Sequence, residues 1–293
     1  MPLVHVRTFR VRNYECDAFG HLNSANYLRL MQETAFDASA AAGYGQKRYA
    51  EMNRVWLIRE SEIEFFLPVY YNQLLQVSTW IADFRRVSSR RMYEFRLEGE
   101  QQLCARGFSD WVFLDAATLQ PTSIPDQLAV DFFPEGVPEA FPKRAPFINP
   151  PKPPRQVFTT RRRVEWQDID PMEHVNNAVY MAYANEAGFK AIEAFGWPWQ
   201  RMRSAGFAIL LRSCRIQYLQ PAVFDEELEI KTWASGVRRS TAVRHYTIHR
   251  ASDQALLCQA NMTGVWVDLT SGQPVRIPDQ FLRDFELNIS AHH

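Results

Sequence analysis

Two loops carry the residues with chemical capacity. DAFGHLNSANY runs from Asp17 to Tyr27 and DPMEHVNNAVY from Asp170 to Tyr180. In each, an aspartate is followed four residues later by a histidine (His21, His174) and two residues after that by an asparagine (Asn23, Asn176), at the mouth of a helix. The start of a helix presents N–H groups without intrahelical partners at the positive end of its dipole. A polarised carbonyl could be held there while a carboxylate and an imidazole act on it. The bland reading of an aspartate near a helix is a cap. Asp17 and Asp170 stand seven residues ahead of the helix start, and Asn23 and Asn176 serve the cap position better, so a chemical role for the aspartates is the stronger reading.

The elements that must position these loops also occur twice. An offset of 153 residues, Asp17 to Asp170, holds without a gap: Tyr27 falls on Tyr180, Gly43 on Gly196, Pro68 on Pro221, Trp80 on Trp233, Tyr93 on Tyr246 and Asp115 on Asp268. IPDQ from Ile124 to Gln127 returns from Ile277 to Gln280. A period this long is a duplicated domain, since solenoid units run about 20 to 50 residues. Between the copies, Pro134 to Arg155 holds eight of the 17 prolines, including PPKPP, and reads as a stiff, solvated, extended tether. The expected organisation is a first domain over 1–133, a linker over 134–155 and a second domain over 156–293.

Each copy has the same order. Alternation at Val4, Val6 and Val11, and at Val157 and Val164, predicts a half-buried antiparallel strand. The motif loop follows, then a helix from about Ser24 to Ala42 with Leu28, Met31, Ala35, Ala38 and Ala42 on one face and Gly43 at a left-handed C-cap. Met181, Ala184, Ala187, Ala191 and Gly196 repeat that pattern. Four further strands are expected per copy, for example Leu75, Val77, Thr79, Ile81 and Tyr93, Phe95, Leu97, answered by Leu228, Ile230, Thr232 and Tyr246, Ile248.

Composition narrows the function. At 293 residues two cores of ordinary size fit. Lys plus Arg equals Asp plus Glu, 33 each, which supplies no basic field for a nucleic-acid backbone. No run approaches the roughly 18 apolar residues of a membrane span, and MPLVHVRTFR lacks a signal-peptide core, so a soluble, cytoplasmic protein is expected. Cys16, Cys104, Cys214 and Cys258 show no C-x-x-C spacing and suggest neither disulfides nor a zinc knuckle. His245 and His249 would lie roughly 13 Å apart on a strand, too far to share a metal. No metal and no cofactor is expected, and His292-His293 reads as a tag remnant.

Strand, D-x-x-x-H-x-N-x-x-x-Y, alanine-rich helix, then Ile-x-aromatic-x-x-Pro (Ile63 to Pro68, Ile216 to Pro221) and further strands resembles the hot-dog fold thioesterases. The likeness is to the 4-hydroxybenzoyl-CoA thioesterase-like branch and to double hot-dog acyl-ACP thioesterases, and it covers nearly the whole chain outside the linker. It implies an α+β fold: two tandem hot-dog domains, each a curled antiparallel sheet wrapped around a central helix, paired as an internal pseudo-dimer, with room for a further homo-oligomer. It implies an acyl-CoA or acyl carrier protein thioester as substrate and active sites at or near the domain interface. The sequence departs from acyl-ACP thioesterases at Phe19 and Met172, where they carry asparagine. Their later acidic residue corresponds to Glu64 in the first copy and to Gln217 in the second.

Under that resemblance Asp17 and Asp170 are candidates for nucleophile or general base, with Glu64 as a further acid in the first copy. His21 and His174 either donate to the thioester carbonyl, orient the aspartate, or are structural loop histidines. Asn23 and Asn176 cap the helix and expose the oxyanion-binding N–H groups, with Asn177 beside them. Arg85, Arg86, Arg90 and Arg91, with Arg238 and Arg239, could meet phosphates of the thiol carrier, although solvated strand-end arginines are the commoner case. Cys16 aligns with Ile169, which argues against a thiol nucleophile. Phe19, Phe36, Trp56, Phe65 and Trp197 build core or line an acyl pocket. A thioesterase is the leading expectation; a hot-dog dehydratase and a non-catalytic acyl-binding module are the alternatives. No G-x-S-x-G occurs, which disfavours a serine hydrolase.

Overall fold

The computed structural model describes residues 1–290, so the terminal histidine pair lies outside it. The chain divides into two compact units, Met1–Pro146 and Phe147–His293. In the first, β1 (His5–Arg10) leads through the motif loop into α1 (Ser24–Ala41), followed by α2 (Gln46–Glu51), β2 (Arg54–Phe65), β3 (Leu74–Phe84), β4 (Ser88–Leu97), β5 (Leu103–Asp115) and α3 (Asp126–Phe132). The second repeats the series as β6 (Phe158–Arg163), α4 (Asn177–Ala194), α5 (Trp199–Ser204), β7 (Phe207–Tyr218), β8 (Glu227–Ser235), β9 (Thr241–Arg250), β10 (Leu256–Asp268) and α6 (Asp279–Phe285). Strand order is β1-β3-β4-β5-β2 in the first unit and β7-β10-β9-β8-β6 in the second, antiparallel throughout. Each unit is a hot-dog: a curled sheet with one long helix against it.

The alternation in the sequence places the core. On β3, Leu75, Val77, Thr79 and Ile81 are buried, and they face Leu97, Phe95, Tyr93 and Arg91 of β4 in register. Apolar side chains of this kind contribute about 1.5 to 3 kcal/mol each by leaving water. The buried stripe of α1 includes Ala25, Leu28, Met31, Ala35 and Ala38, and that of α4 includes Ala178, Met181, Ala184, Ala187 and Ala191. Alanines let the helix axis approach the sheet closely. Both helices begin at an asparagine whose side chain accepts the N–H two residues on, 3.0 Å in each case (Asn23 from Ala25, Asn176 from Ala178). Both are followed by a glycine at positive φ, Gly43 at 88° and Gly196 at 85°, a conformation that side-chain-bearing residues avoid.

The proline-rich segment is largely exposed, as expected, but side chains of the folded units hold it at several points. Arg144 donates two hydrogen bonds to the Asp83 carboxylate, whose side chain is 4% exposed, and Arg85 donates to Pro142 O at 3.0 Å. Phe141 packs against Phe133, ring centroids 5.9 Å apart. Further on, Asn261 donates to Ile148 O at 2.7 Å, Gln259 to Asn149 at 3.0 Å, and Ser290 to Lys152 O at 2.9 Å. Extended polyproline-like chain has no internal hydrogen bonds. Its carbonyls were therefore free to be taken by side chains of the sheets, which composition alone does not reveal.

Candidate active site

Both motif loops are built the same way. A single 3-10 turn (Asn13–Glu15, Trp166–Asp168) ends β1 and β6, and the loop then closes on itself: the Asp17 N–H donates to His21 O at 2.8 Å, the Asp170 N–H to His174 O at 2.9 Å. The fourth loop residue takes positive φ, Gly20 at 79° and Glu173 at 62°, so the second copy carries a non-glycine residue in a strained conformation at the same point. Asn23 and Asn176 then start the helices.

The aspartates hold these loops in shape. Oδ1 of Asp17 accepts the N–H groups of Phe19 at 2.8 Å and His21 at 3.1 Å, and Oδ1 of Asp170 accepts that of Met172 at 2.9 Å. Each is an Asx-type turn rather than a helix cap, a local role that spacing from the helix could not expose. The second oxygen differs between copies. Among the described residues Oδ2 of Asp17 accepts no hydrogen bond, whereas Oδ2 of Asp170 has the Asn176 amide at 3.5 Å. Both aspartates are partly exposed.

The histidines lie beside their aspartates through the backbone. The His21 ring packs edge-on to Tyr70 at 5.2 Å and over Phe19 at 6.0 Å, a partly apolar collar at the loop. The motif tyrosines are core: Tyr27 and Tyr180 are 2% and 3% exposed, burial pushes both phenols up, and the Tyr180 hydroxyl accepts the Ala222 N–H at 2.9 Å. Asn177 opens α4, and its carbonyl accepts the Tyr218 hydroxyl at 3.0 Å. Cys16 points its thiol at Arg12 O, and burial, then the charges of Asp17 and Glu15, push that thiol up, which opposes thiolate formation.

Glu64 sits on β2 opposite Arg106 and forms an ion pair with it at 2.9 Å; Gln217 sits on β7 opposite Gln259 and bonds its amide at 2.9 Å. The acid and its basic partner have thus changed together between copies. The arginine pairs are not gathered at the motif of their own half. Arg10, at the motif end of β1, pairs with Leu74, while Arg85 and Arg86 follow Phe84 at the far end of β3, roughly 33 Å away at strand rise. Arg238 and Arg239 follow β8 in the same way.

One polar cluster escaped the sequence reading. His245, 5% exposed, lies between Ser235 Oγ at 2.7 Å and Asn261 Oδ1 at 2.6 Å. Because the Asn261 amide nitrogen donates to Ile148 O, its oxygen faces the ring, so Nδ1 of His245 carries the proton and Nε2 accepts from Ser235. Desolvation lowers the His245 pKa, which fits a neutral ring. Its two partners are on neighbouring strands, and alternation of β9 sets it on the face opposite the Tyr246 and Ile248 row, so the sequence did not mark it for burial. Among the described residues no group of three or more His, Cys, Asp and Glu could hold a metal, and no helix is long and apolar enough to cross a membrane.

Residues 2–132 match the Acyl-ACP thioesterase N-terminal domain and residues 164–285 match the Thioesterase-like superfamily. An acyl-[acyl-carrier-protein] hydrolase of Cuphea viscosissima is 25% identical over 199 residues, 63% of this chain and 47% of that protein. An oleoyl-acyl carrier protein thioesterase of Arabidopsis thaliana is 21% identical over 201 residues, 63% of this chain and 55% of that protein. The chain therefore spans about half the length of the curated relatives it matches. Among solved structures, a 12:0-ACP thioesterase from Umbellularia californica superposes with a TM-score of 0.70 at 18% identity, covering 89% of this chain and 93% of that one. An acyl-ACP thioesterase from Bacteroides thetaiotaomicron gives 0.68 at 16%, covering 89% and 97%. With both halves matched by thioesterase-type domains and the whole architecture shared, the chain is a tandem hot-dog protein related to the acyl-ACP thioesterases.

Proposed function

We propose that this chain hydrolyses acyl-CoA or acyl-acyl carrier protein thioesters to the free acid and thiol without a metal. Water adds to the thioester carbonyl, the C–S bond breaks, and the departing sulfur takes up a proton. Asp17 is the proposed base or nucleophile through its unbonded Oδ2, with Asp170 as its counterpart in the second half. Oδ1 stays with the loop N–H groups, which fixes the carboxylate while leaving one oxygen to act. His21 and His174, with the helix starts behind Asn23 and Asn176, are proposed to meet the developing oxyanion and the leaving group. Glu64 is proposed to assist only the first site. The Arg85-Arg86 and Arg238-Arg239 pairs, remote from the motif of their own half, are left as carrier contacts at most. The cytoplasm is the proposed setting, in keeping with four cysteines that form no disulfide.

The observation that carries this reading is the twice-built loop, an aspartate with one oxygen committed to backbone beside a histidine and a capped helix start, in halves that both match thioesterase-type domains. The test is thiol release from a panel of acyl-CoA and acyl-ACP thioesters of graded length. Turnover that is unchanged by EDTA is the expected result. No turnover on any member, or a loss with EDTA that zinc restores, overturns the proposal.

A further inference from the structure

Chemistry at either motif needs the aspartate and the helix start held at a fixed separation, because a displacement of about 1 Å can cost roughly a hundredfold in rate. Both halves meet this need by tying the 3-10 turn ahead of the aspartate back to the helix that follows it. The N–H of the cap asparagine donates to the carbonyl of the last turn residue, Asn23 to Glu15 and Asn176 to Asp168, 2.9 Å in each. Glu15 and Asp168 stand two residues before Asp17 and Asp170. One hydrogen bond still lets the turn pivot against the helix. A second tie, from within the helix, removes that freedom, and each half has one.

In the first half the second tie is neutral. Asn26, in the first turn of α1 and 8% exposed, donates its side-chain amide to the same Glu15 carbonyl at 2.8 Å. Its own Oδ1 accepts from Arg29 at 2.7 Å, and since a guanidinium only donates, the amide nitrogen is the atom that faces the turn. The Glu15 side chain takes the Arg12 N–H at 2.8 Å within its own turn.

In the second half the tie is charged. Val179 stands where the first half has Asn26 and has no donor to offer. Tyr183, 2% exposed and four residues further along α4, donates its hydroxyl to Oδ2 of Asp168 at 2.6 Å. The same oxygen accepts the Glu165 N–H at 2.9 Å, and Arg162 stands 3.7 Å from it and 4.3 Å over the Tyr183 ring. Burial, then the bond to Asp168, pushes the phenol up, which keeps it a donor. At the positions of Tyr183, Asp168 and Arg162 the first half has Leu30, Glu15 and Phe9, so neither half holds the other's tie. A bond simply kept since duplication would use the same residues twice. Unrelated side chains that end on the same turn residue mark a requirement of the loop.

We propose that Asn26 and Tyr183 are positioning residues, each holding the motif aspartate of its own half in reach of the helix start. The inference rests on the thioester hydrolysis proposed above and deepens it. Both side chains act through the turn, at Glu15 and Asp168, and a change in either should reach only the chemistry of its own half.

The test uses the full chain with Asn26→Val, which copies the second half, and Tyr183→Phe, which removes one hydroxyl. Asp17→Asn and Asp170→Asn first show which half carries turnover. Loss of the tie in that half is expected to lower kcat about tenfold to a hundredfold with KM and Tm little changed, and loss of the other tie to leave kcat near wild type. General destabilisation would lower turnover in both variants alike. Asn26→Asp keeps the shape of asparagine without its N–H donor, so it should match Asn26→Val and separates the bond from the packing. Equal losses in both halves, a change confined to KM, wild-type kcat without the acting half's tie, or unequal effects of Asn26→Val and Asn26→Asp overturns the proposal. A wild type that turns over no thioester defeats the functional reading instead, and amide exchange then decides. Faster exchange over 17–23 in Asn26→Val and over 170–176 in Tyr183→Phe, each confined to its own loop, supports the ties, and unchanged exchange overturns them.

Discussion

Around Arg91 the first half leaves a cavity, whereas around Arg244 the second half stacks rings: Phe281 on Phe285 at 4.4 Å, Trp197 on Phe281 at 5.2 Å and Phe195 on Phe285 at 4.7 Å. The positions that changed are aligned. Ser39 corresponds to Ile192, Tyr49 to Met202 and Leu128 to Phe281, so polar or smaller groups beside the cavity became apolar bulk. Even the small helix residue differs, Ala35 becoming Gly188, where an added Cβ would lie 2.5 Å from the Tyr246 hydroxyl. Two halves with one topology thus differ in the side chains that stand at matching core positions. Retained backbone order with altered volume is what a duplicated core allows, because each half's strand registers are set by backbone pairing and alternation while filling is set by side-chain size.

The largest test of that divergence is catalytic. Asparagine keeps the Oδ1 acceptor that holds the loop, so Asp17→Asn and Asp170→Asn remove the charged carboxylate without unmaking the turn. Loss of a general base costs roughly 10² to 10⁴ in rate. Asp17→Asn is expected to lose that much of kcat and Asp170→Asn to keep a measurable share, both melting near wild type. Full turnover in Asp17→Asn with a dead Asp170→Asn would reverse the assignment of the stronger half.

Next in size is the ion network peculiar to the first half, where Arg144 joins Asp83 and Asp110, and Arg90 bonds Asp110 through two contacts of 2.7 Å. The aligned positions in the second half are Gly236 for Asp83, Val243 for Arg90 and Thr263 for Asp110. Arg144→Met removes both hydrogen bonds to the buried Asp83 carboxylate and leaves it only the longer Arg85 contact of 3.9 Å, so the loss is expected to approach the roughly 3 kcal/mol of a broken buried pair. Chemical denaturation should register that loss.

The second half has its own polar cluster, and acid should find it. Because desolvation holds His245 below its ordinary value near 6.5, stability linked to it is complete above about pH 6.5 and is lost as the pH falls toward the folded value, where the unfolded chain binds the extra proton. His245→Gln should flatten the dependence of Tm on pH below about 6.5. An unchanged slope would remove His245 as its source.

The smallest effect is expected on stability at Glu64 and Arg106. The pair is 30% and 60% exposed, and such pairs are worth about 0.2 to 1 kcal/mol. Replacing both by glutamine copies the second half, so Tm should move little. A fall in kcat in the same double variant would show that Glu64 serves the chemistry; unchanged kcat would make it a strand-pairing acid only.

The sequence by itself determined the duplication, the helix bounds within a residue or two, the caps Asn23 and Asn176, and the inward rows such as Leu75, Val77 and Ile81. These are local or periodic properties, carried by spacing that backbone geometry imposes wherever it recurs. Tertiary structure decided what those side chains meet. Asp17 proved to hold its own loop, the proline-rich segment proved to be bonded along its length, and Glu64 proved to face Arg106, because each depends on which distant residue the sheet brings across. The same holds for Arg91 and His245. An arginine in an inward row and a histidine on a strand have the same alternation whether partnered or not, and only the packed fold shows that His245 has a neutral pair while Arg91 faces an open cavity.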